Sequence, residues 1–190
     1  PESIAKLCAQ SKVKKFIHVS AIGASRDSKS KYQQSKFLGE EKALSNFDKT
    51  VIIRPSVVIG NEDNFTNLFA KLSLSPIIPV VNVNYKFEPI FVNDVARAIL
   101  KAIETKNNEG KIYELGGGKV ISFGDMIKLI LSTIGKKRFV ADVPMTLAKI
   151  QSSLLSILPI DPIITKDQCL ILSEKDNVVS GDHLTLKDLN

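Results

Sequence analysis

Apolar positions along the chain alternate between helical and strand rhythms. Pro1–Gln10 places Ile4, Leu7 and Cys8 on one helical face, with Pro1 and Glu2 suited to a first turn. Lys14–Ser20 predicts a buried strand. A polar stretch, Gly23–Ser30, then leads into a helix over Lys31–Asn46. Thr50–Arg54 is a β-branched run of strand length closed by Pro55. Asn64–Leu74 predicts a helix, Ser75–Asn84 a proline-interrupted segment unfit for a central strand, and Phe87–Phe91 a short strand. Asn93 is placed to cap a helix over Asp94–Thr105, where Val95, Ala98, Ile99 and Ala102 recur at helical spacing. Lys111–Leu115 reads as a strand ended by Gly116–Gly118. Ser122 caps a helix carrying Phe123, Ile127, Ile130, Leu131 and Ile134, and Gly135 stops it. Arg138–Ala141 predicts a short strand, Pro144–Leu158 and Lys166–Leu172 helices, and the residues from Ser173 a polar, turn-rich tail. Strands separated by helices of this length imply βαβ units on a mostly parallel sheet, an α/β fold.

Composition narrows the class. With 190 residues, 44% hydrophobic and 24% charged, the chain is too apolar for a disordered tail and about the length of a domain with a small second lobe. Ile150–Ile164, the most apolar stretch, is interrupted by Pro159, Asp161 and Pro162, so no transmembrane segment is expected. Cys8 and Cys169 have neither CxxC nor His-paired spacing, which removes disulfide-scaffold and zinc readings and leaves no metal site expected. The net charge is +6, but 22 of the 26 basic residues are lysines spread along the chain, with Lys136-Lys137-Arg138 as the densest block. That pattern describes a solvated surface better than a nucleic-acid footprint, and no nucleic-acid partner is expected. No basic-then-apolar leader precedes Pro1, and a chain opening inside a helix that feeds a strand reads as part of something longer.

The candidate chemistry centres on Tyr32 and Lys36. Four residues apart on one helix, they share a face, and an ammonium beside a phenol favours the phenolate, shifting tyrosine toward acid or base service. By chance a Tyr-x-x-x-Lys arises roughly one time in three at this composition, so the pair alone describes no more than an exposed helix face. Its setting adds weight. A strand ending at Ser20 precedes the helix and one ending at Pro55 follows it, and parallel sheets bind ligands at the carboxyl ends of their strands. Ser20, Tyr32, Lys36, Pro55, Ser56 and Val57 are expected to converge on one crevice. The other features are bland: His18 as a satisfied core residue, His183 in a tail, Phe65 and Phe69 as core, and an apolar stripe over Leu147–Leu158 that packs in a second lobe or docks on a partner or membrane surface.

The order FIHVS, YQQSK-FLGE-E, VIIRPSVVIG, PIFVNDVARAI and YELGGG resembles the C-terminal two-thirds of an extended or atypical short-chain dehydrogenase/reductase. VSAIGA, RPSVVIGNEDNFTN, LSPIIPV and ITKDQ are similar, more narrowly, to the branch of the NADPH-binding accessory subunit of respiratory complex I and its bacterial relatives. Together these segments cover most of Lys14–Val179. The resemblance implies the C-terminal part of a Rossmann-like parallel sheet plus a small substrate-type lobe. Residues 1–105 would be the C-terminal half of the NAD(P)-binding domain, with lobe insertions around 61–90, and residues 106–190 a small substrate or interaction lobe.

It also implies roles. Tyr32 would be the acid/base, or a ribose hydroxyl partner if catalysis is lost. Lys36 would hold the nicotinamide ribose and depress the tyrosine, Ser20 would orient substrate and nicotinamide, and Pro55, Ser56 and Val57 would line the nicotinamide face. Asp94 falls in the family's Val-x-Asp-Val-Ala segment, where a helix N-terminal carboxylate is the plainer reading. Two features depart from the pattern. The family's catalytic hydroxyl position is Ala21 here, and the glycine-rich phosphate turn of a first strand is absent from the sequence, so the NADP or NAD site is incomplete within it. The function implied is an accessory or assembly-type subunit of NADH:quinone oxidoreductase that holds dinucleotide mainly for structure, with complex I subunits as partners. Such a protein would be cytoplasmic, or peripheral at the inner membrane. The alternatives are an active reductase or sugar-nucleotide epimerase using Tyr32 and Lys36, and an inactive truncated fragment.

Overall fold

The computed structural model describes residues 1–148 and 164–189. A helix, α1 (Glu2–Gln10), leads into β1 (Phe16–Val19), α2 (Lys31–Asn46) and β2 (Thr50–Pro55). The chain then runs through β3 (Val58–Ile59), α3 (Asn64–Leu72), β4 (Ile77–Val81), β5 (Lys86–Phe87) and β6 (Ile90–Phe91). It continues with α4 (Val92–Glu104), β7 (Ile112–Leu115), β8 (Ile121–Ser122), α5 (Phe123–Thr133) and β9 (Phe139–Val143). Residues 145–148 are helical, and α6 (Lys166–Ile171) and β10 (Leu184–Thr185) complete the order before a 3₁₀ turn at Leu186–Leu189. The remainder of the helix expected over Pro144–Leu158, and the stripe beyond residue 148, lie outside the described residues.

Four strands form one parallel sheet in the order β1-β2-β7-β10. β2 is inside it and all six of its residues are buried, which explains its continuous β-branched run. Val51 and Ile53 face α4 through Val95, Ala98 and Ala102, joined by Ile90, Tyr113, Leu115 and Leu189. α2 packs on the other face. β1 differs from expectation. Pairing with β2 on one side only among the described residues, it is half-exposed rather than buried, and Val19 is exposed. The helix start at α4 is also corrected: it begins at Val92 with Phe91 in the cap position, so Asn93 caps nothing. The Ser122 cap holds, accepting from the Asp125 N–H at 3.1 Å, and Gly135 ends α5 in the left-handed region at φ +67°.

The second lobe is built from two separated stretches. β4 pairs in parallel with β9, which accommodates Pro79 because this sheet has two strands and no centre. Behind it a core of Phe69, Ile78, Val80, Phe87, Phe123, Ile127 and Cys169 is knit by ring contacts among Phe65, Phe69, Phe87 and Phe123, with centroids 5.3–5.8 Å apart. α3 and β4 fall within the lobe insertion expected around 61–90, whereas β7 and β10, after residue 105, pair into the main sheet instead of the lobe. Strand pairing decides membership here, and pairing is non-local. Among the described residues no helix is long and apolar enough to cross a membrane.

Candidate functional site

The carboxyl ends of β1 and β2 lie side by side. Ser20 donates its N–H to Ile53 O at 2.7 Å, and Ile22 donates to Pro55 O at 3.0 Å, so the turn after β1 runs along the end of β2. Gly23, at φ +88°, lets that turn pass under α2; a Cβ there would lie 2.4 Å from Gln33 Nε2. The first turn of α2 is thereby set against the turn that carries Ser20. Ser20 itself is 4% exposed, and its Oγ is buried without a hydrogen-bond partner among the described residues. A buried hydroxyl left open is costly unless something completes it, which marks a candidate ligand-facing group.

Tyr32 is half-exposed, and the Lys36 ammonium sits 5.5 Å from its ring centroid. This places the cation over the ring face. Burial pushes the Tyr32 phenol above its ordinary value. Lys36 also acts on His18 across α2 and β1. Burial lowers His18, the Glu40 charge opposes this, and the Lys36 charge adds to it. His18 is not the satisfied core residue expected, because its Nε2 is buried with no partner among the described residues and abuts Gly39.

The Pro55–Val57 segment is in place but committed elsewhere. Ser56 is buried and donates its Oγ to Asn177, 2.6 Å from Oδ1 and 2.9 Å from the carbonyl. The Val57 N–H donates to the same Oδ1 at 3.0 Å, and Asn177 Nδ2 reaches Ile22 O at 3.4 Å. Asn177 thus ties the tips of β1 and β2 together from 121 residues downstream of Ser56. Gly116–Gly118 is likewise taken. Gly118 donates to Glu88 Oε1 at 3.0 Å while Val179 donates to Oε2 at 3.1 Å. Asp94 is in the first turn of α4 with an exposed Arg97 partner at 2.9 Å, the plain reading of a helix N-terminal carboxylate.

Two features were missed in the sequence. Arg54, at the end of β2, forms a bidentate pair with Glu40 of α2 at 2.8 and 2.6 Å and is 3.8 Å from Glu114 of β7. His183, expected in a free tail, lies 3.0 Å from Arg54 Nη1, and Ser180 donates its N–H to Glu114 at 2.7 Å. The second is a pair of carboxylates on the start of α2. Asp167 accepts from Ser30 Oγ, Lys31 N–H and Tyr32 N–H at 2.7, 2.7 and 3.2 Å. Glu174 accepts from Ser28 Oγ and Lys29 N–H at 2.8 and 2.6 Å. A carboxylate at a helix N-terminus satisfies open N–H groups and meets the positive end of the dipole.

Burial opposes ionisation of Asp167, but the bonds from Ser30, Lys31 and Tyr32 outweigh it and hold the carboxyl below the ordinary aspartate range. A depressed folded pKa contributes stability that is complete above the unfolded value and is lost as pH falls through the folded one. Asp167→Asn is therefore expected to be less stable than wild type at pH 7. Unfolding midpoints measured from about pH 7 down to about pH 2 should show that gap closing with acid, and a gap independent of pH would contradict the assignment.

A parallel sheet with Ser20 at a strand tip, and Tyr32 and Lys36 one helical turn apart on the following helix, is the arrangement that the resemblance to short-chain dehydrogenases/reductases implies. The family model described as RmlD substrate binding domain matches residues 24–157, and the chain belongs to that family. It is 33% identical over 182 residues to "NADH dehydrogenase [ubiquinone] 1 alpha subcomplex subunit 9, mitochondrial" of Dictyostelium discoideum, covering 94% of this chain and 51% of that protein. The protein of the same name from Mus musculus is 31% identical over 191 residues, covering 100% of this chain and 50% of the relative. The chain thus spans about half the length of these curated relatives. Among solved structures, dTDP-4-dehydrorhamnose reductase from Bacillus anthracis str. Ames in complex with NADP superposes with a TM-score of 0.66 at 18% identity, over 89% of this chain and 67% of that one. That likeness establishes the shared fold.

Proposed function

We propose that the chain serves in an accessory subunit of a respiratory NADH:quinone oxidoreductase, holding NAD(P) for structure rather than turnover. The observation that carries this reading is identity of 33% and 31%, over 94% and 100% of the chain, to two proteins named as NADH dehydrogenase subunits. Ala21, in place of a hydroxyl, points the same way, as does a Lys36 ammonium placed over the Tyr32 ring. The residues present fit one end of a dinucleotide only. Tyr32, Lys36 and the open Ser20 Oγ would hold the nicotinamide ribose, with Pro55, Ser56 and Val57 beside the ring. The glycine turn that could cradle phosphate has its Gly118 N–H on Glu88. Bound nucleotide would supply hydride chemistry. The chain's own groups orient its ribose and bury its edge. Placement peripheral to an inner membrane, with the other subunits of the complex as partners, belongs to the same reading.

The second reading, an active reductase or epimerase, is favoured by the retained Tyr32–Lys36 pair and the free Ser20 hydroxyl. One experiment separates them. Full-length protein is purified as wild type and as Tyr32→Phe, then assayed for retained nucleotide and for oxidation of bound NADPH with carbonyl substrates. We expect nucleotide in both, its affinity about 5–10-fold weaker in the variant from one lost hydrogen bond, and no oxidation in either. Oxidation by wild type that vanishes in Tyr32→Phe would establish the enzyme.

A further inference from the structure

We propose that the outer edge of the β4–β9 sheet is a docking surface for an anionic lipid bilayer. Single exposed apolar side chains are ordinary, but here they are contiguous. Ile77 and Phe139 are register partners at the start of β4 and β9, 51% and 67% exposed. Phe139 donates its N–H to Pro76 O at 3.1 Å, which closes the preceding turn against the strand. Leu74, 83% exposed, projects from that turn, and Pro79 extends the same outer face one pleat further along. The opposite face of the sheet is the buried one, with Ile78 and Val80 in the lobe core. Among the described residues, Leu74, Ile77 and Phe139 take no part in that core.

The rim is basic. Lys136, Lys137 and Arg138 lead directly into Phe139, and Lys71 lies one turn before Leu74, which donates its N–H to Lys71 O at 3.1 Å. Arg138 is anchored across the gap by its Nε bond to Ser73 O at 2.7 Å, so the two segments form one patch. Neither 71–79 nor 134–139 contains an acidic residue. Asp142, the first on either strand, is about 10 Å further along and on the opposite face by strand alternation. Four cations around exposed leucine, isoleucine and phenylalanine match a surface with negative headgroups over hydrocarbon. Lysine stems can lie along the apolar side chains with their ammonium groups at headgroup level. A protein partner fits less well, because lysine is depleted in protein interfaces. The inference deepens the peripheral membrane placement proposed above and does not depend on the nucleotide reading.

The test is co-sedimentation of full-length protein with vesicles of phosphatidylcholine alone or with about 30 mol% phosphatidylglycerol, at about 0.1 M salt. We expect binding to the anionic vesicles and not to the neutral ones. The pair Lys136→Gln with Lys137→Gln should weaken it about 30-fold, at roughly a five-fold loss per cation near a charged surface. Leu74→Ser with Phe139→Ser should weaken it about tenfold or more, with unchanged thermal unfolding as the check on folding. Lys6→Gln with Lys12→Gln, on and just after α1, should leave it unchanged. Equal binding to both vesicles, binding to neither, or equal losses in the α1 control would overturn the proposal. So would self-association abolished by Leu74→Ser with Phe139→Ser in protein that binds no vesicle, which would assign the face to a second copy.

Discussion

Arg54→Met is expected to cost about 3–5 kcal/mol of folding stability, most of what a domain of this size has to lose. Arg54, Glu40 and Glu114 are 7%, 2% and 3% exposed, so the guanidinium is the counter-ion of two carboxylates held away from water. Removing it leaves both carboxylates with uncompensated charge between α2 and the sheet, and His183 without its partner. Taking the carboxylate away as well should relieve part of the damage, because a matched apolar pair carries no desolvation penalty. Urea unfolding of Arg54→Met, Glu40→Leu and the double variant measures this directly. The double variant should be more stable than the sum of the single losses predicts, and simple additivity would show that the cluster is not coupled. The consequence reaches the site, since Arg54 is the residue before Pro55 and Glu40 is one turn of α2 beyond Lys36.

Gly117→Ala should be nearly as damaging, at about 3 kcal/mol, from overpacking against backbone. A Cβ on Gly117 would lie 2.0 Å from Pro89 O, a carbonyl of the segment that enters β6, and a main-chain atom cannot step aside as a flexible side chain can. Gly118 is the internal comparison. Its surroundings are open, and it needs glycine only for its left-handed φ of +79°, so Gly118→Ala should cost about 1–2 kcal/mol. Thermal or urea unfolding of the two variants ranks them. If Gly118→Ala proved the worse, the turn would be governed by backbone conformation and not by the close passage of residues 88–90.

The glycine turn shows how much of the site could be read in the sequence. That Gly116–Gly118 ends a strand is visible from KIYEL followed by three glycines. That Gly117 is glycine because Pro89 crosses it is not, because the two residues meet only when β6 pairs with β3 and β7 with β2. The same holds for Tyr32 and Lys36. Their spacing places them on one helix face whatever the fold. Whether the ammonium lies beside the phenolic oxygen or over the ring depends on how α2 rests on β1 and β2. Asn177 left no local signal at all, being one polar residue in a polar tail. Its role exists because the chain returns across the tips of two strands.

By itself, the sequence determined those features whose causes lie within a few residues: the extent of α2, the Ser122 cap, the stop at Gly135, the buried run of β2, and the pattern marking the family. Helical spacing, capping and β-branched runs are written in neighbouring positions, so they survive without knowledge of the rest. The tertiary structure alone decided the sheet order that moves β7 and β10 out of the second lobe. It also decided the half-exposure of β1, the counter-ions of Arg54, the carboxylates seated on α2, and the apolar patch left outside the β4–β9 sheet. Each of these is a balance of desolvation against a partner far along the chain, and that balance is set only when the partner arrives.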